Sequence, residues 1–514
     1  MKLLNSLLVL TMSLFSFAQT QFGADIDGEA AGDKSGWSVS LSDDGTILAI
    51  GAASNNGNGY ESGHVRIYEY SIGSWTQLGS DIDGEASSDV SGFSVSLSDD
   101  GNRVAIGAIF NAGNGYRAGH VRVYEYSNGS WTQLGSDIDG EAAINVSGWA
   151  VSLSDDGDIV AIGAPKNADN GVNAGHVRIY EYSIGSWTQL GSDIDGEAAV
   201  DNSGWFVSLS DEGDVVAIGA PFNDGNGSNA GHVRVYEYSS GTWTQLGTDI
   251  DGEAVGDNSG YSVSLSDDGD VVAIGAPGNA GNGTGAGHVR VYELDSNSTW
   301  TQLGSDIDGE ATWDNSGYSV SLSDDGDVVA IGAPYNAGSY GNPSGTDAGH
   351  VRVYEYSNGT WTQLGSDIDG EAAGDNSGDA VSLSDDGTVV AIGAPNNDGN
   401  GSDAGHVRVY EIASGVDIEE INSLSSMLLK PNPNNGHFSL EVVDQRHIGS
   451  TYRIVDGLGR TIETGTITKP SQDFDLSDKP KGVYRIQVSN ENAQGNLIDE
   501  YSLVASKTLN VVIQ

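Results

Sequence analysis

An acidic segment with the pattern D-I-D-G-E-x-x-x-D is the part of this sequence best suited to binding a metal ion. Its first copy supplies the side chains of Asp25, Asp27, Glu29 and Asp33. Its fifth copy supplies the matching set Asp249, Asp251, Glu253 and Asp257. Four carboxylates in a loop that turns at a glycine could ligate calcium with help from carbonyls and water. The alternative is a structural turn whose carboxylates cap backbone N–H groups or pair with an arginine of a neighbouring strand.

Three other side chains recur once in each copy. A histidine opens every G-H-V-R motif, at His64, His120, His176, His232, His288, His350 and His406. Because each lies on a different unit, we expect the seven to be too far apart to share one ion, and we favour a packing or hydrogen-bonding role. The arginine two residues later in each copy is predicted to bind the acidic segment. We call this contact the arginine latch and expect it to be chiefly structural. The tryptophan of W-T could line a sugar-binding surface, but packing between units is the favoured interpretation.

Few residues break the repeat, and these are the candidates for a specific binding rim. They lie in the variable Gly/Asn loops, and the main ones are Tyr116, Arg117, Lys166, Tyr335 and Tyr340. A catalytic centre needs unlike residues converging from different units, whereas these units are near copies. No Ser–His–Asp order, phosphate loop or H-E-x-x-H motif is present. We therefore expect no enzyme activity, with no catalytic residue to name.

The elements that position these side chains come from a long internal repeat. The string D-I-D-G-E-A occurs seven times, at intervals of 56 residues four times and then 57 and 61. Each unit contains S-V-S-L-S, A-I-G-A, V-R-V-Y-E-Y and W-T-Q-L-G segments, whose period-2 alternation predicts four short strands. A D-D-G turn joins the first two as a hairpin. Units of four antiparallel strands predict an all-β, seven-bladed β-propeller over residues 19–414.

The two ends of the repeat complement one another. The seventh unit stops after Val407–Tyr410 and has no W-T-Q-L-G segment, whereas the residues Gln19–Gly23 align with that strand. The N-terminal strand is therefore predicted to complete the last blade and close the ring, which leaves no exposed sheet edge at a gap.

The net charge and the distribution of apolar residues exclude several classes of partner. The net charge is −52, and residues 427–514 are nearly neutral, so the repeat carries almost all of it. Such a body repels nucleic acid. Residues 1–18 have the charged, apolar and small-residue pattern of a secretory signal peptide, and no later segment is apolar enough to span a bilayer. There is no cysteine, which excludes disulfides and thiolate metal sites.

The segment S-G-[WFY]-x-V-S-L-S-x-x-G-x-x-x-A-I-G-A-P resembles the FG-GAP repeats of integrin α-subunit propellers. The aromatic position holds Trp37, Phe93, Trp149, Trp205, Tyr261 and Tyr318, and the seventh unit has Asp379 instead. The family's D-x-D-x-D-G calcium loop has shrunk to S-D-D-G here, so that calcium site is not carried over.

Residues 428–514, after a linker at 415–427, resemble the sorting domain of the bacterial type IX secretion system. The motifs are Pro431-Asn432-Pro433, Asp456–Arg460, Asp475-Leu476-Ser477 and Lys481–Tyr484. Alternating F-S-L-E-V and V-Y-R-I-Q-V segments independently predict a small β-sandwich. The resemblance implies contact with the secretion machinery and export across the outer membrane, followed by release or surface anchoring.

Together these features predict a secreted or cell-surface protein that acts as a binding or adhesion module and is monomeric. Its ligand would be an extracellular glycan or protein, with calcium the one candidate cofactor. Two alternatives stay open. One is a structural surface or matrix protein without a specific ligand, and the other is a hydrolase or lyase that uses carboxylates on polysaccharide.

Overall fold

The computed structural model describes residues 19–337 and 347–412 of the repeat region, and shorter stretches after it at 427–430, 437–442, 451–455, 460–469, 471–476, 479, 482–489 and 506–513. The predicted signal peptide, Tyr340, most of the linker and most of the sorting motifs lie outside the described residues. The chain divides into two units, Met1–Ser414 and Gly415–Gln514. No helix long and apolar enough to cross a membrane occurs among the described residues.

The first unit is the predicted seven-bladed β-propeller, with seven antiparallel sheets. The inner strands span Ser35–Leu41, Ser91–Leu97, Ala150–Leu153, Phe206–Leu209, Ser262–Leu265, Ser319–Leu322 and Ala380–Leu383. The second strands span Ile47–Ala52, Arg103–Ala108, Ile159–Ala164, Val215–Ala220, Val271–Ala276, Val328–Ala333 and Val389–Ala394. The third strands span His64–Ser71, His120–Ser127, His176–Ser183, His232–Ser239, His288–Leu294, His350–Ser357 and His406–Glu411.

The outer strand of each blade is interrupted. Its first piece spans Ser74–Gln77, Ser130–Gln133, Ser186–Gln189, Thr242–Gln245, Trp300–Gln302, Thr360–Gln363 and, in the seventh blade, Thr20–Gln21. Its second piece spans Ile82–Asp83, Ile138–Asp139, Ile194–Asp195, Ile250–Asp251, Ile307–Asp308, Ile368–Asp369 and, in the seventh blade, Ile26–Asp27. The D-I-D-G segments therefore begin as strand and not as the loop expected from sequence, because a buried isoleucine between two partly or fully exposed aspartates follows period 2.

The N-terminal segment closes the ring, as predicted. Thr20 and Gln21 pair with Glu411 and Tyr410 of the seventh blade, and Ile26–Asp27 pairs with the start of the same third strand. The Phe22 N–H donates to Val409 O at 2.7 Å, while its carbonyl accepts from Trp75 Nε1 of the first blade at 2.7 Å. The first and last blades are thus joined through one short strand.

Neighbouring blades share a hydrophobic core and a repeated polar contact. Each of six outer-strand tryptophans donates its indole N–H to a carbonyl of the preceding blade, as Trp131 does to Leu78 O at 2.8 Å. Every repeat arginine donates to a backbone carbonyl of the preceding D-I-D-G segment, as Arg234 does to Asp195 O at 2.8 Å. The expected arginine latch is therefore present, but its hydrogen-bond acceptor is the aspartate carbonyl and not the aspartate carboxylate. In the second to fifth blades the arginine also lies 3.7–3.9 Å from the glutamate carboxylate of the same segment.

The inner strands of the seven blades surround a central channel. At the end of this channel where the hairpins join the inner and second strands lies a ring of seven aspartates, Asp43, Asp99, Asp155, Asp211, Asp267, Asp324 and Asp385. The backbone N–H of each donates to the carbonyl of the next, and Asp385 donates back to Asp43, so the circle is complete. Burial and hydrogen bonds between neighbouring carboxyls raise the pKa of Asp99 to about 8. The same causes raise the pKa of Asp385 to about 9.

The second unit contains two antiparallel sheets. One pairs Met427–Lys430, His437–Val442 and Ser471–Asp475, and the other pairs Thr461–Thr466, Thr451–Val455, Gly482–Ser489 and Ser506–Ile513. Tyr452 of the larger sheet meets Phe474 of the smaller one edge to face, with ring centroids 5.1 Å apart. This contact is the core contact expected of the predicted β-sandwich.

We predict that Arg234→Ala lowers the free energy of unfolding by about 2–3 kcal/mol, because it removes a charged donor to the Asp195 carbonyl. Arg117→Ala is the matched control, since Arg117 is exposed and its guanidinium stacks on Phe110 and Tyr116. Thermal melting of both variants beside the wild type tests the latch. An unchanged Tm for Arg234→Ala would contradict it.

We also predict that Tm falls as pH rises from about 6.5 to 9. In this range the folded chain retains protons on Asp99 and Asp385 that the unfolded chain, with an aspartate pKa near 3.8, has lost. Below pH 6.5 the buried histidines act in the opposite direction, because their lowered pKa keeps them neutral only in the folded state. Stability should therefore peak near pH 6.5, and the double variant Asp99→Asn/Asp385→Asn should flatten the alkaline limb. A Tm that rises between pH 6.5 and 9 would contradict the assignment.

Candidate binding site at the channel mouth

Six aromatic side chains form an incomplete ring at the other end of the channel, where the inner strands begin. They are Trp37, Phe93, Trp149, Trp205, Tyr261 and Tyr318, and successive centroids lie 4.6–5.7 Å apart. Successive ring planes are inclined by 45–50°. One seventh of a turn is about 51°, so the ring planes stand nearly parallel to the channel axis. The rings therefore form the wall of the mouth.

The glycine before each aromatic residue sets this direction. Gly36 has a φ of +87°, and a Cβ on it would lie 2.5 Å from the carbonyl oxygen of His406 in the neighbouring blade. Only glycine tolerates both the left-handed backbone and the close approach. The S-G-aromatic motif is therefore the local cause of the aromatic ring.

The mouth encloses a cavity of about 440 Å³, to which all seven blades contribute. Below the rings its lining is mainly apolar, with Val39, Val95 and Val151 among the contributors. Ser38 and Ser94 also line it, but their hydroxyls donate to the carbonyls of Gly92 and Gly148 at 2.9 and 2.8 Å. The volume lies within the range of small-molecule pockets, about 300–1,000 Å³.

Asp379 occupies the seventh position of the ring, between Tyr318 and Trp37, and lines the cavity. No donor reaches its carboxylate among the residues that the structure describes. Burial raises the pKa of Asp379 to about 7, and the nearby Lys34 ammonium acts in the opposite direction. Lys34 itself is held by hydrogen bonds to Asn396 and to Asp403. A carboxylate without a partner thus faces an aromatic cavity.

The loops after each second strand open on this same face, because the start of the inner strand, the end of the second and the start of the third are neighbours. Tyr335 packs edge to face on Tyr318 with centroids 5.9 Å apart. Lys166 Nζ lies 2.7 Å from the side-chain amide of Asn202, whose oxygen accepts its hydrogen bond. Two of the rim candidates therefore adjoin the mouth.

Tyr116 and Arg117 lie in the corresponding loop of the second blade. The Arg117 guanidinium stacks on Phe110 at 4.1 Å and on the exposed Tyr116 at 5.3 Å, in a patch of the second blade that does not line the cavity. Tyr340 lies outside the described residues. Sequence reasoning missed the cavity itself. The sequence feature that could have indicated the cavity is Asp379, which occupies the position that is aromatic in the other six units.

The four carboxylates of one acidic segment are engaged separately. Asp33 is buried and accepts from the Ala30 N–H at 2.9 Å and from Asn55 Nδ2 at 3.0 Å, and Asp257 repeats this arrangement. Asp25 accepts from Gln21 Nε2, and Asp249 from Gln245 Nε2 at 2.7 Å.

The remaining calcium candidates also have separate surroundings. Asp27 and Asp251 lie in the outer strand, where their carbonyls accept from the arginine latch. Glu29 lies near the imidazole of His64, and Glu253 near Arg290. Asp25 belongs to a different group again, with Glu371 and His406. Calcium ligation by one whole segment stays a prediction, and the structure instead groups a glutamate and an aspartate from two successive segments around a histidine.

Solved structures with similarity to this chain include a hydrazine synthase from Kuenenia stuttgartiensis, at 14% identity and a TM-score of 0.49, covering 77% of this chain and 99% of that one. A periplasmic gluconolactonase from Pseudomonas aeruginosa has 12% identity and a TM-score of 0.46, with 84% and 99% covered. PorZ, a surface component of the type IX secretion system of Porphyromonas gingivalis, has 12% identity and a TM-score of 0.38, with 94% and 60% covered. None of these similarities carries a function over to this chain.

No curated protein matches this sequence. The resemblance of the repeats to FG-GAP units stays a prediction. Residues 429–498, by contrast, match the family model described as a secretion system C-terminal sorting domain. The protein is therefore a seven-bladed β-propeller that carries a type IX sorting domain for export to the cell surface or the extracellular space.

Proposed function

We propose that this exported propeller is an extracellular binding or adhesion protein, not an enzyme, and that its channel mouth captures a substituted ammonium group of a protein or peptide ligand. The observation that carries the proposal is the aromatic ring interrupted by one carboxylate, Asp379. Of the extracellular glycans and proteins expected as ligands, the proposal selects a protein or peptide that presents a cationic group.

An organic cation suits both components of the wall. Ring faces attract a cation through their quadrupoles, by about 0.5–1 kcal/mol each when exposed and about 2 kcal/mol when desolvated. The Asp379 carboxylate, which has no described partner, supplies a counter-charge inside the same cavity. The net charge of −52 adds a long-range field that draws cations toward the propeller.

A glycan fits the mouth less well. Sugars stack on aromatic rings, but their hydroxyls also need hydrogen-bonding partners, and an unpaired polar group is costly once buried. The lining serines Ser38, Ser94 and Ser319 already donate their hydroxyl protons to carbonyls of neighbouring blades. These three hydroxyl protons are therefore not free to bind a polyol.

The cavity also lacks the pair of carboxylates that a glycoside hydrolase needs, among the described residues that line it. Such enzymes use two carboxylates that flank the scissile bond. Asp379 is the one acidic side chain among the described residues that line this cavity. The proposal therefore assigns binding to the mouth, and assigns contact with the rest of the ligand to the surrounding variable loops.

We predict that tetramethylammonium and a trimethyllysine peptide bind the wild type, and that Asp379→Asn weakens the affinity at least tenfold, or about 1.4 kcal/mol. Trp149→Ala should weaken it as well. Binding should also decline as pH falls below about 7, because protonation removes the Asp379 charge. Isothermal titration calorimetry measures all three effects.

The matched control is Asp268→Asn, which removes the same charge from an exposed hairpin at the opposite end of the channel. It should leave the affinity within about twofold of the wild type. Equal weakening by both variants would mean that only net charge matters, and the proposed site would be wrong. Tight binding of a neutral oligosaccharide without ammonium binding would favour the glycan alternative.

A further inference from the structure

A group of four potential metal ligands lies where the second and third blades meet, and none of its members lines the aromatic mouth. It consists of Glu141, Asp169, His176 and Asp193, whose nearest ligand atoms all lie within 4.8 Å of one another. The His176 Nδ1 is 3.8 Å from Glu141 Oε2 and 3.7 Å from Asp193 Oδ2. These separations are too long for hydrogen bonds. Two atoms that each lie about 2.1 Å from one metal ion can be up to about 4 Å apart.

The histidine is the observation that distinguishes this group from an ordinary acidic cluster. His176 has no exposed surface, and neither of its ring nitrogens has a hydrogen-bond partner among the described residues. Leaving a buried polar atom unpaired is energetically costly. Its Nδ1 lies close to both carboxylates, and an unpaired imidazole nitrogen is a common ligand of transition-metal ions.

We propose that Glu141, Asp169, His176 and Asp193 bind a divalent ion of the Zn²⁺ class. The imidazole nitrogen favours zinc and its neighbours in the transition series over calcium or magnesium, which prefer oxygen ligands alone. The carboxylates of Glu141 and Asp193 are about one third exposed, at 37% and 29%, so an ion can enter from solvent.

The ligands come from two blades. Glu141 follows the outer strand of the second blade, whereas His176 and Asp193 belong to the third. Arg178 lies 3.9 Å from the other oxygen, Oε1, of Glu141 and holds that carboxylate in orientation. A bound ion would therefore link the second blade to the third, and metal binding should raise the free energy of unfolding of the propeller.

Other blades provide an internal comparison. The first, second and fourth blades repeat the glutamate, histidine and aspartate, in the groups Glu29–His64–Asp81, Glu85–His120–Asp137 and Glu197–His232–Asp249. At the position of Asp169 these blades have Gly57, Gly113 and Gly225. The third blade alone among these four thus has a fourth ligand, and we expect it to bind the ion most tightly. This inference does not depend on the proposed ammonium site.

The test is calorimetric titration of the full chain, freed of tags and pretreated with a chelator, with ZnCl₂ and separately with CaCl₂. The wild type should show one tight zinc site above a weaker class, and calcium should bind more weakly. Asp169→Gly, which installs the residue of the other blades, should weaken the tight site at least tenfold. Gly225→Asp, which supplies the fourth ligand to the fourth blade, should add a second tight site.

A spectroscopic readout separates imidazole ligation from binding by acidic residues alone. Co²⁺ bound at the tight site should give the intense visible absorption of low-coordinate nitrogen and oxygen ligation, and Asp169→Gly should lose it. The proposal is overturned if the wild type and Asp169→Gly take up the same amount of tightly bound zinc. It is equally overturned if bound Co²⁺ shows only the weak spectrum of an all-oxygen octahedral site.

Discussion

Hydrogen bonds from Thr20–Gln21 and Ile26–Asp27 to the third strand of the seventh blade close the propeller, and both ends of the channel depend on them. At the hairpin end, closure lets the backbone donor of Asp385 reach the carbonyl of Asp43 and complete the circle of aspartates. At the mouth, closure brings Asp379 of the last blade beside Trp37 of the first. An open arrangement of the same blades would leave these residues apart and the aromatic wall without its carboxylate.

Much of this architecture can be predicted from the sequence, because the blades arise from patterns that repeat at regular intervals. A spacing of 56 residues, period-2 alternation and the spare N-terminal strand predict the blades, their number and their closure. The assignment of D-I-D-G to a loop was wrong for Ile82–Asp83 and its counterparts, since an alternation that covers only the three residues Asp-Ile-Asp does not stand out in the sequence. The convergence of six aromatic rings was also not foreseen, because it depends on the backbone direction imposed by Gly36 and its equivalents. Distances across the ring are not encoded in any local pattern.

The near identity of the blades separates architecture from candidate function. Features present in every blade, such as the arginine latch to a carbonyl, stabilise each interface in the same way. The two candidate sites instead depend on single departures, Asp379 in place of an aromatic residue and Asp169 in place of a glycine. Each places a carboxylate in a repeated structural setting, the aromatic wall in one case and the buried histidine in the other. Departures from the local rules of a regular framework are commonly found at functional sites.

The most direct test of this account is to complete the aromatic ring with Asp379→Tyr and to measure Tm and ammonium affinity on the same protein. If the carboxylate is kept for binding at a cost in stability, the variant should melt a few degrees higher than the wild type and should lose ammonium binding. An unchanged or lower Tm together with intact ammonium binding would contradict the claim that Asp379 defines the site.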